Sequence, residues 1–403
     1  MGGEDIPVYC RFVGAGGLAA FPPRKRRWGS LPGGASRTLW GMESAPIPPT
    51  EELQAELLAW YREARRDLPW RATRDPYAVW VSEAMLQQTR VETAEPYWRR
   101  FMERFPTIEA LAAASEDAVL AAWSGLGYYR RARALRAAAQ QVRDLHGGSF
   151  PRDPAQALAL PGVGRYTAGA VLSIAYDLPR PVVDGNVTRV FARLFELEGV
   201  VGSPPLERRL WDLAESLVST AGGAGDWNQA VMELGATVCT PRTPSCESCP
   251  VARHCGAHAA GRVAELPHPK PRPATLAVEL EVLHIAREAS ILLERRPPGG
   301  RMGGLWQLPT REREGPEGTT SGLFPERFPP GWALSGGREL GSVRHTITRH
   351  RIRARVLEGR RAGDSEPPEG LAWFLRHDLA DQPLTGMTSK ILAARFLTPS
   401  LFP

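Results

Sequence analysis

The sequence predicts a mainly α chain that ends in a smaller α+β domain. Three observations lead there. Apolar residues recur at helical spacing from Thr50 to about residue 238, four cysteines then crowd into one loop, and after a Pro-rich basic stretch the apolar period becomes two.

Residues 1–48 are rich in Gly, Pro and Arg and show no sustained period. They are expected to be disordered, or an extension of the gene model with Met42 as the natural start. Their basic run, Arg24 to Arg27, follows Glu4 and Asp5, the reverse of a secretory leader. Order is expected from Thr50, an N-cap with Glu51 and Glu52 in the first turn. Leu53, Leu57, Trp60 and Tyr61 then mark a helical stripe, as do Leu206, Leu210, Leu213 and Leu217. The helical domain is expected over residues 49–261 and a linker over 262–274 (RVAELPHPKPRPA). Residues 275–403 form the second domain. There Leu276, Val278, Leu280 and Val282 alternate, as do Ile352, Ala354 and Val356, and Thr388 to Leu397 reads as a closing helix.

Composition bounds the function. A chain of 403 residues that is 43% hydrophobic has material for two cores. Lys plus Arg exceed Asp plus Glu by 50 to 44, a net charge of +6, which permits a polyanionic partner without specifying one. Nearly all the basic charge is Arg, since the lysines are Lys25, Lys270 and Lys390. The helical domain therefore has no Lys nucleophile. No apolar run is long enough to span a membrane.

Of 5 cysteines, Cys10 stands apart and Cys239, Cys246, Cys249 and Cys255 form C-x6-C-x2-C-x5-C. Such a cluster in a large chain is a metal site rather than a secreted disulfide framework, and it suits a reducing compartment. Four thiolates hold zinc or a 4Fe–4S cluster, and the spacing has only one of the two C-x2-C knuckles that zinc ribbons favour. Either group would be structural, since four ligands leave no open position.

Leu160-Pro161-Gly162-Val163-Gly164-Arg165-Tyr166-Thr167-Ala168 places Gly162 and Gly164 in a tight turn that opens a helix. Glycine permits positive φ and close backbone approach, and the helix start offers free N–H groups to an anion such as phosphate.

The hairpin, the aspartate in Val183-Asp184-Gly185-Asn186-Val187 and the cysteine loop together resemble the endonuclease III superfamily of helix-hairpin-helix glycosylases. Trp80-Val81-Ser82-Glu83-Ala84-Met85-Leu86-Gln87-Gln88-Thr89 and Gly125-Leu126-Gly127-Tyr128-Tyr129 resemble the MutY adenine glycosylases within it. The resemblance is dense over residues 52–260 and looser over 275–397. It implies a helix-hairpin-helix fold with a 4Fe–4S loop, double-stranded DNA with an A:8-oxoguanine or A:G mismatch as partner, and a monomer in the cytoplasm of a bacterial-type cell, near the nucleoid.

Excision of adenine needs the base out of its stack, a proton on its ring, and stabilisation of an oxocarbenium-like sugar. Glu83, set among Trp80, Val81, Met85 and Leu86, is expected to be buried, with a raised pKa that suits an acid. The resemblance implies that it is the catalytic acid. Asp184 follows the β-like run Pro181-Val182-Val183 and can cap the next helix. The resemblance adds stabilisation of the sugar cation, with Asn186 in the same motif. At ~4 Å and an effective dielectric of ~20, such a pair contributes roughly 4 kcal/mol.

Tyr166 stands where the lyase members carry a Lys, which argues for hydrolysis by water rather than amine catalysis. The resemblance further implies that Gln88, Thr89 and Tyr128 fill the duplex and touch the opposite base, and that Trp70, Arg71, Leu86, Val91 and Glu233 receive adenine. For Trp70 and Leu86 a plain core role is the rival reading.

Gly303-Gly304-Leu305-Trp306-Gln307-Leu308-Pro309 and Arg344-His345-Thr346 resemble the family's Nudix-like domain, which inspects 8-oxoguanine. The glutamate string of a working Nudix hydrolase is missing. Where the family usually has Phe-Ser-His, this chain has Ile347-Thr348-Arg349, so Thr348 keeps the hydroxyl and Arg349 replaces the His. The rival functions are a bifunctional glycosylase/lyase for oxidised pyrimidines, which Tyr166 opposes, and a non-catalytic lesion-binding scaffold, which Glu83 and Asp184 oppose.

Overall fold

The computed structural model describes residues 50–220, 223–271, 273–299, 302–313, 334–361 and 366–394. The expected disorder of residues 1–48 and the last residues of the closing helix lie outside these. The helical part runs α1 (Thr50–Ala64), α2 (Pro76–Leu86), α3 (Val91–Arg104), α4 (Ile108–Ala113), α5 (Glu116–Ala122), α6 (Arg130–Leu145), α7 (Pro154–Ala159), α8 (Arg165–Tyr176), α9 (Gly185–Leu194), α10 (Pro204–Thr220), α11 (Ala224–Thr237) and α12 (Gly256–Ala259).

Helix α2 is the axis of this body. It begins with Pro76 at its first position, and the Asp75 side chain accepts from the Tyr77 and Ala78 amides. Every residue from Tyr77 to Met85 is buried, so the helix has no solvent face and must be surrounded. Helix α8 is alike, buried from Thr167 to Ile174, and packs against α2. Helix α11 completes the bundle against α1, α8 and α9. There a Cβ on Gly235 would sit 2.6 Å from the Asn186 Cβ, so glycine lets α11 lie directly on the turn that carries Asp184.

Among the described residues the second part has eight strands and one α-helix: β1 (Leu276–His284), β2 (Ala286–Arg287), β3 (Ser290–Arg295), β4 (Trp306–Gln307), β5 (Thr310–Glu312), β6 (Leu334–Ile347), β7 (His350–Arg361), β8 (Leu371–Leu375) and α13 (Gly386–Leu392). One sheet has the order β5-β1-β7-β6, with β1 parallel to β7 and the other pairs antiparallel. The second joins β2, β3 and β4, with β8 also on β3. Val278, Leu280 and Val282 of β1 and Ile352, Ala354 and Val356 of β7 share one core, as two-residue alternation requires.

Three local expectations need correction. Residues 181–183 are not a strand, because no neighbouring backbone pairs with them. The stretch read as a linker is not free along its first half. Buried Arg193 donates Nε to the Leu266 carbonyl at 3.0 Å, and His268 exchanges backbone bonds with Gly199 and Val201. Arg262 is also tied to Glu196, Glu198 and Glu265. The closing helix spans Gly386–Leu392, capped by the Thr385 side chain.

The two parts meet along α5 and α6. Arg295 grips Asp117 with two bonds of 2.7 and 2.9 Å, and Arg133 reaches both Glu116 and the Gly303 carbonyl.

Candidate active site

Helix α2 carries Glu83 into the centre of the helical body, where the residue is 5% exposed. Burial raises its carboxyl from 4.5 to about 7, and nearby Asp184 adds to the rise. The Tyr166 hydroxyl and Arg71 oppose it. Tyr166, in the first turn of α8, donates Oη to Glu83 Oε2 at 2.7 Å. Burial and the two carboxylates hold the Tyr166 hydroxyl well above its ordinary pKa, so it remains a donor.

Asp184 ends the extended segment after α8 and caps α9. Its Oδ1 accepts from the Val187 amide at 2.7 Å and its Oδ2 from Asn186 Nδ2 at 3.1 Å. Burial raises its pKa, and these donors pull against that. The cap and the functional reading are therefore compatible, since the cap is what aims the carboxylate. Asn186 is itself held by Arg189, whose Nη2 lies 2.9 Å from Asn186 Oδ1.

Glu233 shows the opposite electrostatics. Burial pushes it up, but Arg66 and Arg71 more than reverse this, and its pKa falls to about 2. Arg66 donates Nε and Nη2 at 2.8 Å each, and Arg71 donates Nη2 at 2.7 Å. Two buried carboxyls in one body are thus pushed to opposite states, the pattern that separates an acid from a fixed charge.

Trp70 is 6% exposed, edge-on to Trp98, and Leu86 and Val91 pack on the same core. None of the three lines the large cavity described next, and neither do Glu83, Tyr166 or Asp184.

That cavity, about 1080 Å³, opens between the two parts and is lined by Gln88, Tyr128, Gly162, Thr167, Met302 and Thr348 among others. Gln88, Tyr128, Met302 and Thr348 all have positive φ, from 48° to 59°. For β-branched Thr348 this is a marked departure. Such conformations cost about 1–3 kcal/mol each and gather where function over-determines the backbone. Tyr128 is 50% exposed, a large ring held out toward the cavity. Thr348 and Arg349 are exposed at the turn between β6 and β7.

Arg131 ties the loop after α2 to the loop before α6. Its Nη1 donates to the carbonyls of Ala84, Met85 and Gln87, and its Nη2 to Thr89 Oγ1 and to the carbonyls of Leu126 and Gly127. Its guanidinium also faces the Trp123 and Tyr128 rings. The sequence reading missed Arg131 and Arg66. For Arg131 a signal existed: a cation in the first turn of α6 opposes the helix dipole, so something else must hold it there.

In the hairpin, only Gly162 has positive φ, and a Cβ there would meet the Ala134 Cβ at 2.5 Å. Gly164 is extended, contrary to expectation, and nothing lies within 4 Å of where its Cβ would be. Its smallness leaves open space in front of the start of α8, which has no side-chain cap.

The four cysteines are half-buried thiols around the loop after α11. Burial pushes Cys249 up to about 11, and Cys239, Cys255 and Cys246 each push it further. Arg193 Nη1 lies 3.3 Å from Cys239 Sγ. Among the described residues no group of three or more His, Cys, Asp or Glu side chains is set to hold a metal ion. The donor chemistry nonetheless fits a thiolate-bound centre, whose positive charge would relieve the repulsion among the four.

Residues 81–216 match the HhH-GPD superfamily base excision DNA repair protein family, and residues 281–394 match the NUDIX domain. The chain is 37% identical over 388 residues to the adenine DNA glycosylase of Homo sapiens, covering 81% of this chain and 70% of that one. It is 42% identical over 307 residues to the adenine DNA glycosylase of Rattus norvegicus, covering 63% of this chain and 59% of that one. Among solved structures, a thermostable thymine-DNA glycosylase matches at 30% identity with a TM-score of 0.47, covering 52% of this chain and 97% of that one. A helix-hairpin-helix body holding a buried acid, followed by a NUDIX domain, and the 37% identity to the human relative lead to one conclusion: the chain belongs to the adenine DNA glycosylase family.

Proposed function

We propose that the chain is a monofunctional DNA glycosylase that flips adenine out of a duplex and excises it hydrolytically where it is paired with 8-oxoguanine or guanine. The observation that carries this reading is the buried pair Glu83–Tyr166 beside Asp184, with Glu83 poised at about 7. Near neutral pH about half of Glu83 holds a proton for a ring nitrogen of the leaving adenine. Once the proton is gone, Tyr166 donates to a carboxylate, a stronger charge-assisted bond. Asp184, aimed by Asn186 and Val187, faces the positive charge that develops on the sugar. Arg71 and permanently ionised Glu233 give a fixed donor and acceptor for the base edge.

The hairpin around Gly162 and Gly164 positions phosphate without reading sequence. Tyr128, Gln88 and Thr89 replace the stacking lost when adenine leaves, and stacking is worth ~1–3 kcal/mol per base. Cys239, Cys246, Cys249 and Cys255 would hold a 4Fe–4S cluster, which supplies a rigid loop rather than a chemical step. The protein works as a monomer on chromosomal DNA in the cytoplasm. Among the described residues no helix is long and apolar enough to cross a membrane.

The test is a panel of duplexes bearing A opposite 8-oxoguanine, A opposite G, and thymine glycol, with and without alkali. Adenine should be released from the first two, and strand breaks should need alkali. Efficient borohydride trapping of a protein–DNA adduct would return the lyase reading, which the absence of Lys between Lys25 and Lys270 opposes.

A further inference from the structure

The loop from Ser124 to Tyr129 does more than present Tyr128. Ser124 donates its hydroxyl to the Leu384 carbonyl at 3.0 Å, and Tyr129 donates its own to the same oxygen at 3.2 Å. Tyr129 Oη in turn accepts from the Gly125 amide at 3.3 Å. Tyr129 is 5% exposed and Leu384 6%, so water is a poor substitute for the Tyr129 hydroxyl, while Ser124 is half-buried. Both lone-pair directions of one carbonyl in the second domain are thus taken by the loop that carries the wedge.

Leu384 stands directly before the α13 cap. The Thr385 amide donates to the Trp306 carbonyl at 2.9 Å, and the Thr385 hydroxyl caps α13. A Cβ on Gly386 would lie 3.8 Å from His345 Cε1 on β6, two residues before Ile347-Thr348. Further along α13, Lys390 Nζ donates to the Arg344 carbonyl at 2.8 Å. A short run of bonded and packed groups therefore joins Tyr128 to the turn at Thr348. At both ends the backbone is at positive φ, 48° at Tyr128 and 51° at Thr348.

We propose that Ser124 and Tyr129 are positioning residues that, through the shared Leu384 carbonyl, couple the turn facing the opposite base to the wedge, so that the opposite base sets the excision rate as well as the affinity. This rests on the reading of the chain as an opposite-base-selective adenine glycosylase. Neither hydroxyl touches the reacting atoms. Each acts through the placement of Tyr128.

The experiment compares the full chain, Ser124→Ala, Tyr129→Phe and the double variant by single-turnover excision at saturating protein, on duplexes with adenine opposite 8-oxoguanine and opposite guanine. Thr348→Ala is measured alone and in combination. Melting temperature is followed throughout, and Tyr129→Phe keeps the ring and its packing. The double variant should slow the 8-oxoguanine duplex by about tenfold, in the usual range for coupled sites, and the guanine duplex by less than about threefold. Thr348→Ala added to the double variant should lower the ratio no further, because both changes interrupt one run. An unchanged ratio, equal slowing of both duplexes, or full additivity with Thr348→Ala would each overturn the coupling. The unsubstituted chain on the same two duplexes reports separately on the underlying reading: absent excision defeats that reading, whereas excision with an undisturbed ratio defeats only the coupling.

Discussion

The helical body and the second domain place their functional groups in opposite ways. Glu83 and Tyr166 lie inside the body on helices buried along their length. Thr348 and Arg349 sit on an exposed hairpin turn whose strands supply the core beneath. An acid that must keep its proton near neutral pH needs desolvation, which only an interior provides. A group that must inspect a base needs access and a fixed backbone, which a strained turn on a sheet provides. The cavity between the two parts is lined by Gln88, Tyr128 and Thr167 of the helical body and by Met302 and Thr348 of the second domain.

The largest expected effect breaks the interior half alone. Glu83→Gln and Asp184→Asn should each lower single-turnover excision by at least ~100-fold while leaving duplex affinity within a few-fold. A near-normal rate in either variant removes that residue from the chemistry.

The same burial should show in stability. The Glu83 carboxyl is raised from 4.5 to about 7. The folded chain thus keeps a proton that the unfolded chain loses across that range. Its contribution is full below about 4.5 and declines as pH rises through about 7, by about 3 kcal/mol in all. Glu83→Gln lacks this decline. It should be more stable than the unsubstituted chain at pH 8, with the gap closing toward pH 5, as denaturant titrations would read. A gap independent of pH would mean that Glu83 is not desolvated. Excision should fall as pH rises through about 7, where the acid loses its proton.

A third comparison separates the halves physically. A fragment of residues 49–274 should still excise adenine and should lose about tenfold of any preference for 8-oxoguanine over guanine. Ending the fragment at Arg262 would strip buried Arg193 of the Leu266 carbonyl and confuse lost folding with lost reading. Undiminished preference in the longer fragment would place discrimination in the helical body.

The smallest effect is expected at the start of the chain. Deleting residues 1–48 should change excision by less than about twofold, since nothing there has core periodicity. A loss beyond tenfold at matched melting temperature would give those residues a role in holding DNA.

Periodicity and motif by themselves determined the helical body, the change to alternating strands, the hairpin, the cysteine loop and the choice of Glu83, Tyr166 and Asp184 as candidates, which the fold brings together. These are legible because each is written over consecutive residues, where helical and strand periods and turn chemistry act. Even the burial of Glu83 could be read from its apolar neighbours on α2. Tertiary structure alone decided what pairs with what. Arg66 and Glu233 are 167 residues apart in sequence, and Ser124 and Leu384 are 260 apart, so no local pattern announces either bond. It also decided that Trp70 is buried edge-on to Trp98, that the stretch after Arg262 is docked, and that Glu233 is ionised while Glu83 is poised near neutrality. The two glutamates have the same chemistry in the chain. They differ because folding brings two guanidinium groups to one and a phenol beside a second carboxylate to the other.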